Sequence, residues 1–421
     1  MFRWSNLIIV ALTQKCNMNC QYCYLGDKSS LPDTELDFNT YKTIINKIAI
    51  DKISYWRDTT LIPRFQVLLH GGEPTLVGTD KIREFLDYGT KVFKSFNLPF
   101  EFSIQTNGTN LSPELLNIFK EYKVQVGISV DSITNNLRDC SISQKKIIEN
   151  INLAKELGVR YGTVSVFTSK DNIDFIKDIL DYKGISCTKI NYMEEYYPNG
   201  LAPSTDQYIN NIFIPFYKHY INNTNDVLYT DLRRVIDNFI IDAFTYHDYG
   251  KTESTCRFKF CGSGIKLISI LPNGMFHLCD HWRGDETFYD EKIYQVGTYD
   301  FLSLKQFQSA LNWSKKLNEL IIKKGCDSCI YSYICLHECP LASIKRNNNW
   351  SLDTRDCEIT KAIYNYLWEH IEELLDSISS RDNPVIHTQE TKIYKLMNRP
   401  EFRDKYKFTI MDNRTLRIRK A

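Results

Sequence analysis

Eleven of the thirteen cysteines of this chain fall into two blocks with metal-ligand spacing. The first is Cys16-Asn-Met-Asn-Cys20-Gln-Tyr-Cys23, three thiols on one short loop with gaps of three residues and then two. The second runs from Cys256 through Cys261 and Cys279 to the tight group Cys326, Cys329, Cys335 and Cys339, and ends at Cys357. Thiolates are the soft ligands that iron–sulfur clusters require. Three of them on a four-iron cluster leave one iron open to something other than protein, and the other eight suffice for two clusters held wholly by cysteine. Zinc is the alternative for the first loop, but a zinc knuckle needs a fourth Cys or His at short range. The next histidine is His70. Cys140 and Cys187 fit neither block and read as small buried core residues.

The elements that position these thiols show in the hydropathy pattern. Short β-branched runs at about residues 7–12, 65–69, 100–104, 124–130, 162–167 and 188–192 alternate with helical periodicity at 39–52, 79–96, 112–122, 143–157 and 172–182. Such alternation predicts an α/β fold with a parallel sheet wound by right-handed crossovers. Six units fall short of the eight of a closed barrel, so residues 1–192 are expected to form a partial (β/α)6 TIM-like barrel. The first cysteine loop directly follows the first strand, and the carboxyl ends of parallel strands are where such sheets hold cofactors. A mostly helical bridge is expected over 193–255, and a cysteine-rich domain with little regular structure over 256–360, because metal would organise it. Residues 361–421 read as a C-terminal helix, a polar linker near 379–391 and a basic tail.

Bulk properties remove other classes of function. In 421 residues the formal net charge is +1, which gives no electrostatic reason to expect nucleic acid. The apolar run at 7–12 is too short to span a bilayer and lacks the cleavage site of a secretory peptide, so a cytoplasmic protein without a membrane partner is expected. In that reducing compartment cysteines serve metal or catalysis more than disulfides.

Further chemistry stands at successive strand ends. The second strand runs into His70-Gly71-Gly72-Glu73-Pro74, the third into Gln105-Thr106-Asn107-Gly108 and the fourth into Gly127-Ile128-Ser129-Val130-Asp131. Paired glycines let backbone approach a ligand, and a neighbouring carboxylate can accept from an ammonium. Together with CxxxCxxC and the aromatic Tyr22 before its last cysteine, these segments resemble the radical S-adenosylmethionine (SAM) superfamily. The resemblance implies a [4Fe–4S] cluster on Cys16, Cys20 and Cys23 whose open iron holds SAM, and a 5′-deoxyadenosyl radical made by reductive cleavage. It carries cofactor contacts onto Tyr22, Gly71, Gly72, Glu73, Ser129, Arg138 and Ile190, and implies a low-potential electron donor such as flavodoxin or ferredoxin.

The second block is similar to the seven-cysteine SPASM extension of radical SAM enzymes, with Gly274 in its place and Cys256 as an eighth ligand. That resemblance implies two auxiliary [4Fe–4S] clusters, one on Cys256, Cys261, Cys279 and Cys339, the other on Cys326, Cys329, Cys335 and Cys357. Enzymes of this type complete two-electron oxidations of peptide or protein side chains. Gly71–Leu76 and the pair Cys279-Asp280 resemble the anaerobic sulfatase-maturating enzymes, which implies that Asp280 is a base taking the substrate's proton. The expected function is therefore peptide maturation, by formylglycine formation or by thioether or carbon–carbon cross-linking. A radical SAM dehydrogenase of a small alcohol or sugar, and a non-catalytic iron–sulfur scaffold or regulator, are the alternatives. Residues 132–138, the bridge with Glu194 and Glu195, and the chain beyond about residue 377 depart from the family pattern. With fifteen residues ahead of Cys16, no leader-binding module is expected before the loop.

Overall fold

The computed structural model describes residues 2, 5–26, 33–59, 64–131, 137–140, 144–171, 174, 187–192, 200–223, 229–246, 261–277, 279–280, 304–329, 339–347, 351–352, 354–381, 385–387, 395–396, 404–412 and 415–421. The chain divides into two compact units. The first comprises residues 1–164, 195–197 and 261–319, the second residues 165–194, 198–260 and 320–421.

Strands follow in chain order as β1 (Leu7–Thr13), β2 (Met18–Cys20), β3 (Phe65–Gly71), β4 (Phe100–Thr106), β5 (Gln125–Ser129), β6 (Arg138–Cys140) and β7 (Tyr161–Phe167). Next come β8 (Cys187–Tyr192), β9 (Tyr229–Thr230), β10 (Thr245–Tyr246), β11 (Leu267–Ile270) and β12 (Phe276–His277). In the first unit β1, β3, β4, β5 and the first four residues of β7, Tyr161–Val164, lie side by side and parallel. The intervening helices are α1 (Phe38–Thr59), α2 (Thr79–Ser95), α3 (Pro113–Glu121) and α4 (Gln144–Glu156). Ile82, Phe85, Leu86, Gly89 and Phe93 of α2 are buried at helical spacing, so one stripe faces the sheet. Ser112 caps α3 by accepting from Leu115 N at 3.1 Å, with Pro113 at its first position. The expected helix at 172–182 lies outside the described residues apart from Asp174.

The sheet also grows on its other side. β11 pairs in parallel with β1, Leu7 opposite Leu267, and turns back antiparallel into β12. Its residues Leu-Ile-Ser-Ile are all buried. Four apolar-leaning residues inside a cysteine-rich stretch give too short a pattern to distinguish strand from loop. The consequence is functional: β11 and β12 bring Cys279 and Asp280 into the unit that carries the first cysteine loop.

The second unit has a largely helical core. Thr205–Tyr208, a π-turn at Ile209–Phe213 and Ile214–Asn222 follow one another, started by a capping box between Ser204 and Gln207. Asp231–Phe244, Arg355–Glu369 and Ile371–Ser379 supply further buried faces. Phe213, Phe216, Tyr217, Ile236, Leu367, Leu374 and Ile378 are all buried there, each contributing about 1.5–3 kcal/mol of apolar burial. Strand β13 (Val385–His387) falls inside the expected linker, which corrects that expectation. After β14 (Lys395–Leu396), the basic tail folds into an antiparallel pair, β15 (Tyr406–Asp412) and β16 (Thr415–Lys420). Among the described residues no helix is long and apolar enough to cross a membrane.

Candidate active and cofactor site

The first cysteine loop leaves β1 and is fastened on several sides. β2, which contains Cys20, pairs antiparallel with β6, setting Cys20 opposite Arg138. Gln21 N donates to Leu137 O at 2.9 Å, and Cys23 N to Cys20 O at 3.1 Å. Cys16, Cys20 and Cys23 are in no disulfide and are half-buried. Before the loop, Gly72 N donates to Thr13 O at 2.9 Å and Glu73 N to Lys15 O at 2.8 Å. These bonds explain the two glycines. A Cβ on Gly71, at φ +145°, would lie 2.1 Å from Thr13 O, and one on Gly72 would lie 2.2 Å from Lys15 O. Both glycines thus serve the close approach of two backbone segments of the protein itself.

Glu73 is fully buried. Its Oε1 accepts from Thr75 N at 3.1 Å, Thr75 Oγ1 at 2.6 Å and Thr106 Oγ1 at 2.7 Å, and its Oε2 accepts from Asn107 N at 2.6 Å. Burial pushes its carboxyl pKa up and these four bonds work against that rise. Asn107 in turn donates through Nδ2 to Asn17 Oδ1 at 2.7 Å, and Asn17 Nδ2 donates to Thr109 Oγ1 at 2.9 Å. The GGEP turn, the QTNG segment and the cysteine loop are therefore one hydrogen-bonded unit. Asn17 gave no sequence signal because it is an ordinary polar residue between ligands.

Arg138 Nη1 donates to the Tyr22 hydroxyl at 3.4 Å, and Nη2 approaches Met18 Sδ at 3.6 Å. The Tyr22 hydroxyl donates to Asp131, which is fully buried. Burial, then the Asp131 carboxylate, pushes the Tyr22 hydroxyl pKa well up, so it remains a donor. Ser129 accepts from Gln105 Nε2 at 2.9 Å. Ile190 is 3% exposed in the hydrophobic core of the second unit, where it packs as core. Residues 132–136 lie outside the described residues.

A second group surrounds Asp280, which is 9% exposed and follows the buried Cys279. The Tyr24 hydroxyl donates to Oδ2, Ser269 Oγ donates to Oδ1 at 3.3 Å, and His70 Nε2 stands 3.9 Å from Oδ2. His70 ends the strand before the glycine pair, and its Nδ1 accepts from Gly71 N at 2.7 Å, leaving Nε2 turned to the carboxylate. A hydrogen-bonded, largely buried carboxylate beside an imidazole can take up a proton and hold it. Tyr24, one residue after the last loop cysteine, and Ser269, on the unexpected strand β11, were not singled out from sequence.

Of the second block, Cys261 and Cys279 belong to the first unit, and Cys326, Cys329, Cys339 and Cys357 to the second. Cys261 is pinned by Asn318, whose Oδ1 accepts from Cys261 N at 2.7 Å. Cys339 N donates to the buried Asp356 at 3.2 Å. Cys256 and Cys335 lie outside the described residues. Among the described residues no three Cys, His, Asp or Glu side chains converge on a single-ion site. The loop itself fits one [4Fe–4S] cluster with SAM: three thiols outside any disulfide, with no fourth ligand converging on them among the described residues, on a turn fixed by its backbone rather than by the metal.

Comparison with known proteins agrees with this reading. Residues 10–182 match the family model of the Radical SAM superfamily. A cysteine-type anaerobic sulfatase-maturating enzyme of Clostridium novyi is 25% identical over 379 residues, covering 85% of this chain and 94% of the relative. The radical SAM cyclopropyl synthase TigE of Paramaledivibacter caminithermalis is 27% identical over 65% of this chain and 57% of its own length. In fold, the chain matches the structure of anSMEcpe with bound AdoMet and Cp18Cys peptide at a TM-score of 0.67 and 18% identity, over 87% of this chain and 98% of that one. Residues 10–182 are thus a radical SAM domain, and the chain is homologous to anaerobic sulfatase-maturating enzymes and to the radical SAM enzyme TigE.

Proposed function

We propose that this protein is a radical SAM enzyme that oxidises a side chain of a peptide or protein by two electrons, with Asp280 as the proton acceptor. Cys16, Cys20 and Cys23 would hold the cluster and SAM, which would supply hydrogen-atom abstraction, and the eight later cysteines would hold clusters able to take up the second electron. The chain's own part is positional and acid–base. Glu73, Asn107 and Asn17 hold the loop, and Asp280 receives the proton released from the substrate's thiol or hydroxyl. Tyr24 and Ser269 fix both carboxylate oxygens, and His70 stands ready to share the charge. The observation that carries the reading is the placement of Asp280, buried beside Cys279 in the same unit as the first cysteine loop.

The finer assignment is formylglycine formation, supported by the likeness over most of both chains to a sulfatase-maturating enzyme. The test offers Cys- and Ser-containing peptides to the reduced, reconstituted enzyme under anaerobic conditions. Expected are 5′-deoxyadenosine and an aldehyde that a hydrazine traps. Asp280→Asn should still release 5′-deoxyadenosine while aldehyde falls by about two orders of magnitude or more. Full aldehyde yield from Asp280→Asn would remove the base assignment. Dehydrogenated product that hydrazine does not trap would replace formylglycine with a cross-link.

A further inference from the structure

The C-terminal sheet carries a charge arrangement that the radical chemistry does not use. Residues 405–421 contain Lys405, Lys407, Arg414, Arg417, Arg419 and Lys420 against a single Asp412, in a chain whose formal net charge is only +1. The sheet order is β13-β16-β15. One face is buried through Tyr406 and Ile418, and the Tyr406 hydroxyl donates to Asp376 of helix Ile371–Ser379 at 2.5 Å. Lys405 and Lys420 are spent on that helix, 2.9 Å from Glu372 and 3.2 Å from Asp376.

The other face differs. Lys407 stands directly opposite Arg419, and Thr409 opposite Arg417. Lys407, Thr409 and Arg419 are exposed, Met411 is 48% exposed, and Arg417 is half-buried. Among the described residues Lys407, Arg417 and Arg419 make no ion pair. Like charges facing each other across a pair of strands are destabilising. A lone lysine on an edge strand is commonly a guard against aggregation. That account fails for Arg417 and Arg419, which lie on the middle strand, where there is no edge to guard. β15, in contrast, is an edge whose outer side has no strand partner among the described residues.

We propose that this sheet docks an acidic, extended segment of the polypeptide substrate, which adds to β15 as a further strand and lays carboxylates over Lys407, Arg417 and Arg419. The proposal rests on the reading of the enzyme as one that acts on peptides. A strand edge offers main-chain hydrogen bonds that only a polypeptide can complete. Nucleic acid would favour aromatic stacking platforms, and the outward face of β15 and β16 holds Lys, Thr, Met and Arg instead.

The test titrates the reconstituted full-length enzyme into a fluorescently labelled peptide of alternating Glu and Thr, read by anisotropy. Lys407→Glu/Arg419→Glu should weaken binding at least about tenfold, and Lys407→Gln/Arg419→Gln by less, with melting temperatures unchanged. Amide exchange in β15 should slow when the peptide binds the unaltered enzyme. Equal affinity in the charge-reversed variant, no protection of β15, or displacement by oligothymidylate as effective as by unlabelled peptide would each overturn the proposal. Without peptide, the variants should release 5′-deoxyadenosine at the unaltered rate. A protein that binds the acidic peptide at β15 yet oxidises no peptide would leave the docking surface standing and sink the function proposed above.

Discussion

Glu73→Gln separates two roles for the GGEP carboxylate, contact with the cofactor and construction of the loop. The structure shows the second, with all four hydrogen bonds made to the protein. Glutamine keeps one oxygen for the three donors on Thr75 and Thr106, but its amide NH2 then faces the Asn107 N–H. One charge-assisted bond is lost, about 1.5–3 kcal/mol, and two donors are opposed. The remaining three bonds change from charged to neutral acceptor, and charged bonds are roughly twice as strong. The total is on the order of 3–5 kcal/mol, a large part of the ~5–15 kcal/mol that holds a domain together. The expected result is a clearly lowered unfolding midpoint of the apo protein, measured by near-ultraviolet circular dichroism. Iron incorporation should fall in step, because Asn107 no longer holds Asn17 beside Cys16. Thr106→Val removes one donor of the four and should shift the midpoint by about a third as much. The opposite pattern would refute the reasoning. An unchanged midpoint and iron content with at least tenfold weaker SAM binding would mean that the carboxylate meets the cofactor directly.

Gly71→Ala places a Cβ 2.1 Å from Thr13 O and asks for φ +145° of a residue that resists it, so iron content after reconstitution should drop. Replacing Cys16, Cys20 and Cys23 together by Ala should remove about four irons per chain and abolish SAM cleavage, leaving in place the spectrum of the clusters proposed on the later cysteines. In the second unit, burial raises Asp237 to about 7, against the pull of Arg233, Tyr220 and Arg381. The folded state therefore holds a proton that the unfolded state has released above its own pKa of about 4. Stability from this group is present below that pH and declines as pH rises to about 7. Asp237→Asn should flatten that decline in a series of thermal melts between pH 5 and 8, and an unchanged slope would remove the assignment.

The parallel strands were legible because each is a compact β-branched run bounded by turn chemistry. β1, β3, β4, β5, β7 and β8 begin and end within two residues of the runs read from sequence. The CxxxCxxC loop was legible because spacing alone constrains it. What escaped were features created by tertiary contact. β11 is four residues whose strand character comes from pairing with β1, not from length. Tyr24, Ser269 and Asn17 matter through partners 256, 11 and 90 positions away, which no local pattern encodes. The glycines of GGEP were legible as a need for close approach, but what approaches is Thr13–Lys15 of the chain itself. The C-terminal hairpin was hidden because its outward side is charged on both strands, so alternation reads as a solvated tail.

One arrangement unites the first unit's separate contacts. Buried carboxylates follow three strands of the sheet: Glu73 after β3, Asp131 after β5 and Asp280 after β12. Each is tied to the cysteine loop by a different residue of that loop. Glu73 reaches it through Asn107 and Asn17, Asp131 takes the Tyr22 hydroxyl, and Asp280 takes the Tyr24 hydroxyl. Tyr22 and Tyr24 flank Cys23, so consecutive turns of one short segment point to opposite tasks. Burying an unpaired carboxylate costs several kcal/mol, whereas a carboxylate with strong donors is retained at little cost. The three acids therefore act as sockets that fix the loop before any cluster binds. The socket at Asp280 has the added property that a histidine stands beside it. His70 stands 3.9 Å from Asp280 and can share a proton with it, which is why we propose the acid–base work there and the positioning work at Glu73 and Asp131.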